Sequence, residues 1–249
     1  MATRTRRGER RADALSRKRI VEAAIEILDV GGESVLTIRA LTARLATGTG
    51  AIYHHVANMN ELLAAATDDV IAGAMTDVVG VADPREAIRA TALAVFDATD
   101  SHPWAGSQLS REPWQPAFLQ IAESLGRHLQ ALGVPQRAQF DCGSALGNYI
   151  LGVAGQNAAR ARLHPHDRSA ALEDIAARWA RLDPDKYPIM RRLATRLPEH
   201  DDRTQFLVGV DLILAGITTV LQGASEDHPA PPPGDRRASG GNQRNRPRP

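Results

Sequence analysis

The chain has 249 residues, 43% hydrophobic and 24% charged, with a formal net charge of +1; that is enough for a sizeable core, or for a small domain leaning on a larger one. Cys142 is the only cysteine, which excludes an intrachain disulfide and a cysteine cluster for zinc. The N-terminus lacks a hydrophobic signal core and no apolar run is long enough for a bilayer span, so a cytoplasmic location without membrane partners is expected.

The charge is unevenly spread. Arg4, Arg6, Arg7, Arg10, Arg11, Arg17, Lys18 and Arg19 stand against only Glu9 and Asp13 before Ile20. Residues 1–15 therefore read as a basic flexible arm, able to neutralise phosphates by counterion release or simply to stay solvated.

From there apolar residues recur at helical spacing almost everywhere, and the expected fold class is all-α. Ser16 can cap a first helix that buries Ile20, Ala23, Ala24, Ile27 and Leu28, with Gly31-Gly32 as its stop. Thr37 can cap a short second helix burying Ile38, Leu41 and Leu45. After Ala46-Thr47-Gly48 a third helix places Ile52 and Val56 inward. Asn58 with Glu61 forms a capping-box signal for a long fourth helix, running to about Val79. Asp83-Pro84-Arg85-Glu86 opens the next, to about Asp100. His102 to Pro116, with its prolines and tryptophans, reads as a loop with room for one helical turn. Further helices are expected near Pro116–Leu132, Pro135–Ala161, Ser169–Leu182, Pro188–Leu197 and Asp201–Gly223. Residues 224–249, rich in Pro, Gly, Arg and Asn, read as a disordered tail.

The first helices, within residues 16–79, have the dimensions of a helix-turn-helix domain joined to a linking fourth helix. The tight corner at Ala46-Thr47-Gly48 sets two helices steeply across each other, which lets the third enter a major groove. Its outer face would present Thr49, Ala51, Tyr53 and His54. An ordinary packed helix would give Tyr53-His54-His55 no role.

The runs Ile20-Val21-Glu22-Ala23-Ala24, Leu36-Thr37-Ile38-Arg39-Ala40-Leu41, Gly50-Ala51-Ile52-Tyr53-His54-His55-Val56 and Asn58-Met59-Asn60-Glu61-Leu62-Leu63 resemble the TetR family of bacterial repressors. The resemblance implies that Thr37 and Arg39 touch the DNA backbone or a neighbouring base. It implies that Thr49, Gly50 and Ala51 lie nearest the bases, and that Tyr53 and His54, with His55 beside them, contact phosphate. Two departures stand out: Met59 replaces a usual basic residue, and Ala46-Thr47 replaces a usual glycine and apolar residue in the turn. The resemblance further implies a homodimer on double-stranded operator DNA, released by a small-molecule inducer bound in residues 80–223.

That larger segment carries weaker signals. The Pro135–Ala161 helix contains Gly143, Gly147, Gly152 and Gly155, which points to a tight helix contact or to room for a ligand. The last helix shows an apolar face of Phe206, Val210, Ile213, Leu214, Ile217 and Val220. These two helices are the candidates for the dimer interface, burial within one subunit being the other reading. Phe96, His102, Trp104, Trp114, Phe118, Asn148 and Gln156 are candidate ligand-lining residues, an apolar cavity with a few polar anchors.

His102, His128, His164 and His166 raise the question of a metal, but His164-Pro165-His166 has no third ligand in view, and no metal or cofactor is expected. No phosphate loop or nucleophile motif points to an enzyme, and Asp68-Asp69 and Asp201-Asp202 fall where exposed faces or caps are expected. The expectation is a DNA-binding repressor; the alternatives are an activator with the same machinery, or a helical ligand-binding protein whose head no longer serves DNA.

Overall fold

The computed structural model describes residues 15–109, 111, 114–163 and 168–226; among these the regular structure is helical throughout. The arginines of residues 4–11, the tail beyond residue 226, and His164 and His166 lie outside the described residues.

The head is built from four helices: α1 (Arg17–Gly31), α2 (Ile38–Leu45), α3 (Thr49–Tyr53) and α4 (Met59–Met75). Each start follows from a short polar side chain. Ser16 Oγ accepts from the Arg19 amide at 3.3 Å, Thr37 Oγ1 from Ala40 at 3.2 Å, and Asn58 Oδ1 from Glu61 at 2.8 Å. Gly32 ends α1 with a φ of 69°, which glycine adopts without a Cβ clash. Ile20, Ala24, Leu28, Leu41, Ile52, Val56, Leu62 and Ala66 close one apolar core.

The larger domain comprises α5 (Pro84–Ser101), α6 (Pro103–Leu109), α7 (Pro116–Ala131), α8 (Gln136–Leu163), α9 (Arg168–Ala180), α10 (Pro188–Ala194) and α11 (Asp202–Glu226). Asp83 Oδ1 accepts from Glu86 N at 2.9 Å and Pro84 occupies the first turn of α5, as the sequence signal requires. The second core joins Ile88, Val95 and Phe96 of α5 to Ile121, Leu125 and Leu129 of α7, Leu146 and Ile150 of α8, and Phe206, Val210 and Leu214 of α11.

The long α4 belongs to both cores. Leu62, Leu63 and Ala66 pack in the head, Ile71 and Met75 in the larger domain, and Val70 against both.

Three expectations need correction. Residues 103–109 form a helix rather than a loop, because Pro103 suits a first helical turn and Trp104, Ala105 and Leu109 are all buried. The third helix stops at Tyr53 instead of reaching Val56. Of the paired aspartates, Asp201 does cap, accepting from Arg203 N at 3.0 Å, and Asp69 is exposed. Asp68 and Asp202 are partly buried: Asp68 accepts from the Ala117 amide at 2.8 Å, and Asp202 accepts from Arg160 and Arg168.

Candidate DNA-reading and effector sites

The turn before α3 carries the one backbone outlier among the described non-glycine residues. Ala46 sits in the left-handed region at φ 47°, ψ 46°, and so lets the chain reverse within Ala46-Thr47-Gly48. This is the position where the family commonly has glycine, and the Cβ of alanine costs energy there. The reversal sets α3 across α2. Ile52 is fully buried and Val56 nearly so, while Thr49, Gly50, Ala51, Tyr53 and His54 are exposed and His55 is half-buried.

The outer face is therefore what the spacing requires. Beyond its own helix backbone and chain neighbours, no atom of the described residues lies within 4 Å of where a Cβ on Gly50 would stand, which leaves this face open to close approach. Thr37 and Arg39 are exposed at the start of α2, and the Arg39 guanidinium has no counter-ion among the described residues. Thr37 already caps α2 through its oxygen, which leaves its hydroxyl hydrogen for a phosphate.

Met59 is half-buried and packs against the head core, so it supplies apolar contact where the family has a basic side chain. Several cations of the head itself are also committed. Arg17 donates to Glu61 at 2.8 Å and Lys18 lies 3.7 Å from Glu22, while Arg44 pairs with Glu26. The second Glu61 oxygen accepts from Ala57 N at 2.7 Å, one residue before the position a capping box uses. That backbone hydrogen bond, followed by the Arg17 hydrogen bond, holds the Glu61 carboxyl below its ordinary range.

The candidate ligand residues do not gather in one place. His102 and Trp104 lie at the junction of the two domains: Asp29 Oδ1, near the end of α1, is 2.7 Å from both Trp104 Nε1 and His102 Nδ1. Indole N–H can only donate and the carboxylate only accept, so His102 completes the pair by donating through Nδ1–H. Arg111 donates to Glu33 at 2.8 Å beside it, and Trp104 and Ala105 pack within the head core. Sequence reasoning missed this junction because its partners are some 75 residues apart.

Trp114 is 68% exposed. Phe118 and Asn148 do share a cavity, of about 340 Å³, between α7 and α8. Gln156 lies elsewhere and accepts from Arg160. Gly143 and Gly147 of α8 line that cavity, with no atom closer than Leu129 Cδ1 at 3.7 Å to a Cβ built on either. Their smallness therefore leaves room. The tight contacts made by α8 involve glycines of other helices instead: a Cβ on Gly106 of α6 would meet the Ala154 carbonyl oxygen at 2.5 Å, and one on Gly209 of α11 would meet the Tyr149 ring.

A second cavity, of about 500 Å³, opens between the end of α5, α8 and the starts of α9 and α11. Phe96, stacked on Phe206 at 4.9 Å, forms part of its wall. Arg168 gives Asp202 two hydrogen bonds, at 2.6 and 2.5 Å, with Arg160 at 3.2 Å and His200 at 3.1 Å. Burial pushes the Asp202 carboxyl up, but the Arg168 hydrogen bonds and the nearby cations outweigh it, for a net lowering.

The apolar face expected at a dimer contact turns inward instead. Phe206, Val210, Leu214 and Ile217 fill the core of their own subunit, since α11 packs on α5 and α8. The opposite face of α11 exposes Val208 and Leu212 with Ala215, Gly216 and Thr219, and α8 exposes Ala145, Gly152 and Ala159. The side chain of Val220 lies outside the described residues. Among the described residues no helix is long and apolar enough to cross a membrane, and no three potential ligands cluster for a metal.

Comparison with known proteins places this architecture. The family model for the tetracyclin repressor-like C-terminal domain matches residues 81–221. An HTH-type transcriptional regulator of Saccharopolyspora erythraea is 30% identical over 207 residues, covering 82% of this chain and 84% of that protein. The HTH-type transcriptional repressor DrrR1 of Streptomyces coeruleorubidus is 28% identical over 221 residues, covering 83% and 78%. Among solved structures, SCO7222, a TetR from Streptomyces coelicolor, shares 51% identity with a TM-score of 0.73, covering 83% of this chain and 99% of that one. ActR of the same organism, solved with actinorhodin, shares the fold at 24% identity and a TM-score of 0.68, covering 86% and 99%. With its exposed third helix, two-core architecture and matching C-terminal domain, the chain belongs to the TetR family of DNA-binding transcriptional regulators.

Proposed function

We propose that the protein is a cytoplasmic, homodimeric repressor without catalytic activity, released from its operator when a small molecule binds the larger domain. The observation that carries this reading is the division of α3: Ile52 is buried, while Thr49, Gly50, Ala51, Tyr53 and His54 face outward. Small residues let the helix sit close to base edges, and the phenol and imidazole reach phosphate. Thr37, Arg39 and His55 flank the same surface.

The dimer forms through the exposed face of α11, with Val208 and Leu212 at its centre, beside the small-residue face of α8. An isologous contact of this kind puts two reading helices on one side of the dimer and calls for a roughly palindromic operator. Repression and release are supported by a relative named as a repressor and by a fold neighbour solved with a small molecule.

Two links tie the effector-binding domain to the head: α4, shared by both cores, and the Asp29 junction with α6. An effector shifts operator occupancy only as far as it binds the non-operator arrangement more tightly. DNase footprinting on DNA upstream of the protein's own gene tests this reading. Two protected half-sites about one helical turn or more apart are expected. A single protected half-site with a monomeric protein would contradict it.

A further inference from the structure

The cavity of about 500 Å³ has a charge balance that selects its occupant. Among the described residues, four aspartates (Asp97, Asp100, Asp201 and Asp202) face three arginines, a formal surplus of one negative charge before His200 is counted. Every arginine is already engaged. Arg203 donates twice to Asp97, at 2.9 and 3.0 Å, and Arg160 and Arg168 converge on Asp202. Asp201 accepts from Thr204 at 2.5 Å. Asp100, exposed at the cavity rim and within the field of Arg168, is alone among the charged residues described around the cavity in having no hydrogen bond or ion pair.

A second, independent group is also unfilled. Asn157 is 8% exposed and lines the same cavity; its Oδ1 accepts from Arg160 at 3.4 Å, and its Nδ2 has no partner. Because a guanidinium can only donate, the Asn157 oxygen must face it, and the donor is the free end. A buried donor left unpaired is costly, so a ligand acceptor there gains binding energy. Phe96 and Pro103 add apolar wall between these polar groups.

We propose that this cavity is the effector site, and that it takes an organic amine on an aromatic or other apolar body that also carries a hydrogen-bond acceptor. The amine pairs with the Asp100 carboxylate and the acceptor takes the Asn157 amide. An anionic ligand is disfavoured because it finds no free arginine among the described residues around the cavity and must break a bidentate arginine–aspartate pair. Burial, with the nearby charges of Asp202 and Asp97, already raises the Asp100 carboxyl above its ordinary range, and an incoming cation relieves that.

The location also gives the ligand a route to the head. Pro103 of the cavity wall is the first residue of α6, and the next residue, Trp104, is hydrogen-bonded to Asp29 of α1. That regulatory consequence rests on the function proposed above; the amine site itself does not.

The test is calorimetric titration of the full-length protein with three probes that share one body and one acceptor: para-methoxyphenethylamine, para-methoxyphenethyl alcohol and para-methoxyphenylacetate. The amine is expected to bind about tenfold or more tighter than the other two, the margin of a charge-assisted hydrogen bond over a neutral one. Asp100→Asn, which removes no existing hydrogen bond, should erase that margin, and Asn157→Leu should weaken all three probes. Equal binding of the probes, preference for the carboxylate, no detectable amine binding, or a margin unchanged in Asp100→Asn would overturn the proposal. Operator binding by the same samples separates the two readings. A protein that holds its operator but shows no amine preference loses only the amine site, whereas amine preference without operator binding removes only the regulatory role.

Discussion

At the scale of single residues, the division of α3 into a buried and an exposed face was legible because its signal is short and local. Ile52 and Val56 had to face inward by spacing alone, and they do. The caps Ser16, Thr37, Asn58 and Asp83 were legible for the same reason, each acting within three residues of itself. Ala46 shows what a residue-scale departure costs. A left-handed alanine is strained by about 1–2 kcal/mol, part of which glycine would give back in unfolded-state entropy. Ala46→Gly is therefore expected to stabilise the protein by about 0.5–1 kcal/mol, read as a rise in thermal midpoint. An unchanged or lower midpoint would show that the turn is relaxed.

At the scale of elements, chain-order patterning found most helices and missed the placement of α6. The segment from His102 to Pro116, with three prolines and two tryptophans, carries no clear period, and what makes residues 103–109 helical is burial against distant parts. Trp104 joins the head core, and Gly106 lies against the α8 backbone. The apolar stripe of α11 was legible as a stripe, but periodicity does not say which partner covers it. The candidate ligand residues scattered for the same reason: their type suggested a cavity, while only the packing of α7, α8 and α11 decides where space remains.

Gly106→Ala should destabilise the protein by about 1–3 kcal/mol, because its Cβ would meet a backbone carbonyl that cannot rotate away. Denaturant unfolding measures this, and a neutral result would mean that α6 is free to shift. Removing the Asp29 acceptor leaves the buried Trp104 N–H unpaired. Asp29→Ala should cost about 1–3 kcal/mol, with less loss in a Trp104→Phe background, as a double-mutant cycle would show. Strict additivity would mean that the two side chains do not act as a pair.

At the scale of the whole molecule, the two domains, their shared α4 and the dimer have consequences that no single element carries. Leu212→Glu places a charge on the exposed α11 face and is expected to yield monomers in analytical ultracentrifugation, with the fold kept by circular dichroism. A dimer of unchanged stability would move the interface elsewhere. The dependence of stability on pH is set by opposing carboxyls. Asp202 has a lowered folded-state pKa, so its contribution is present above the ordinary aspartate range and is lost as pH falls through the lowered value. Asp68 and Asp100, raised chiefly by burial, act in the opposite sense: they favour the folded state at low pH and give that up as they ionise. The Asp202→Asn variant should therefore lose stability at neutral pH, and its gap from the unmodified protein should narrow on acidification. A gap that widens would reverse this assignment.

The central claim is that α3 reads DNA. Its most direct test is fluorescence anisotropy on the upstream region at several salt concentrations, for the unmodified protein and for a Tyr53→Ala, His54→Ala variant. Both side chains are exposed, so the variant keeps its core. Tight, salt-sensitive binding is expected, and the double substitution should weaken it by about tenfold or more with little change in the log–log salt slope, because that slope counts phosphates neutralised by Lys and Arg, none of which the variant removes. Equal affinity of the two proteins would contradict it, and would leave DNA affinity to basic residues outside α3.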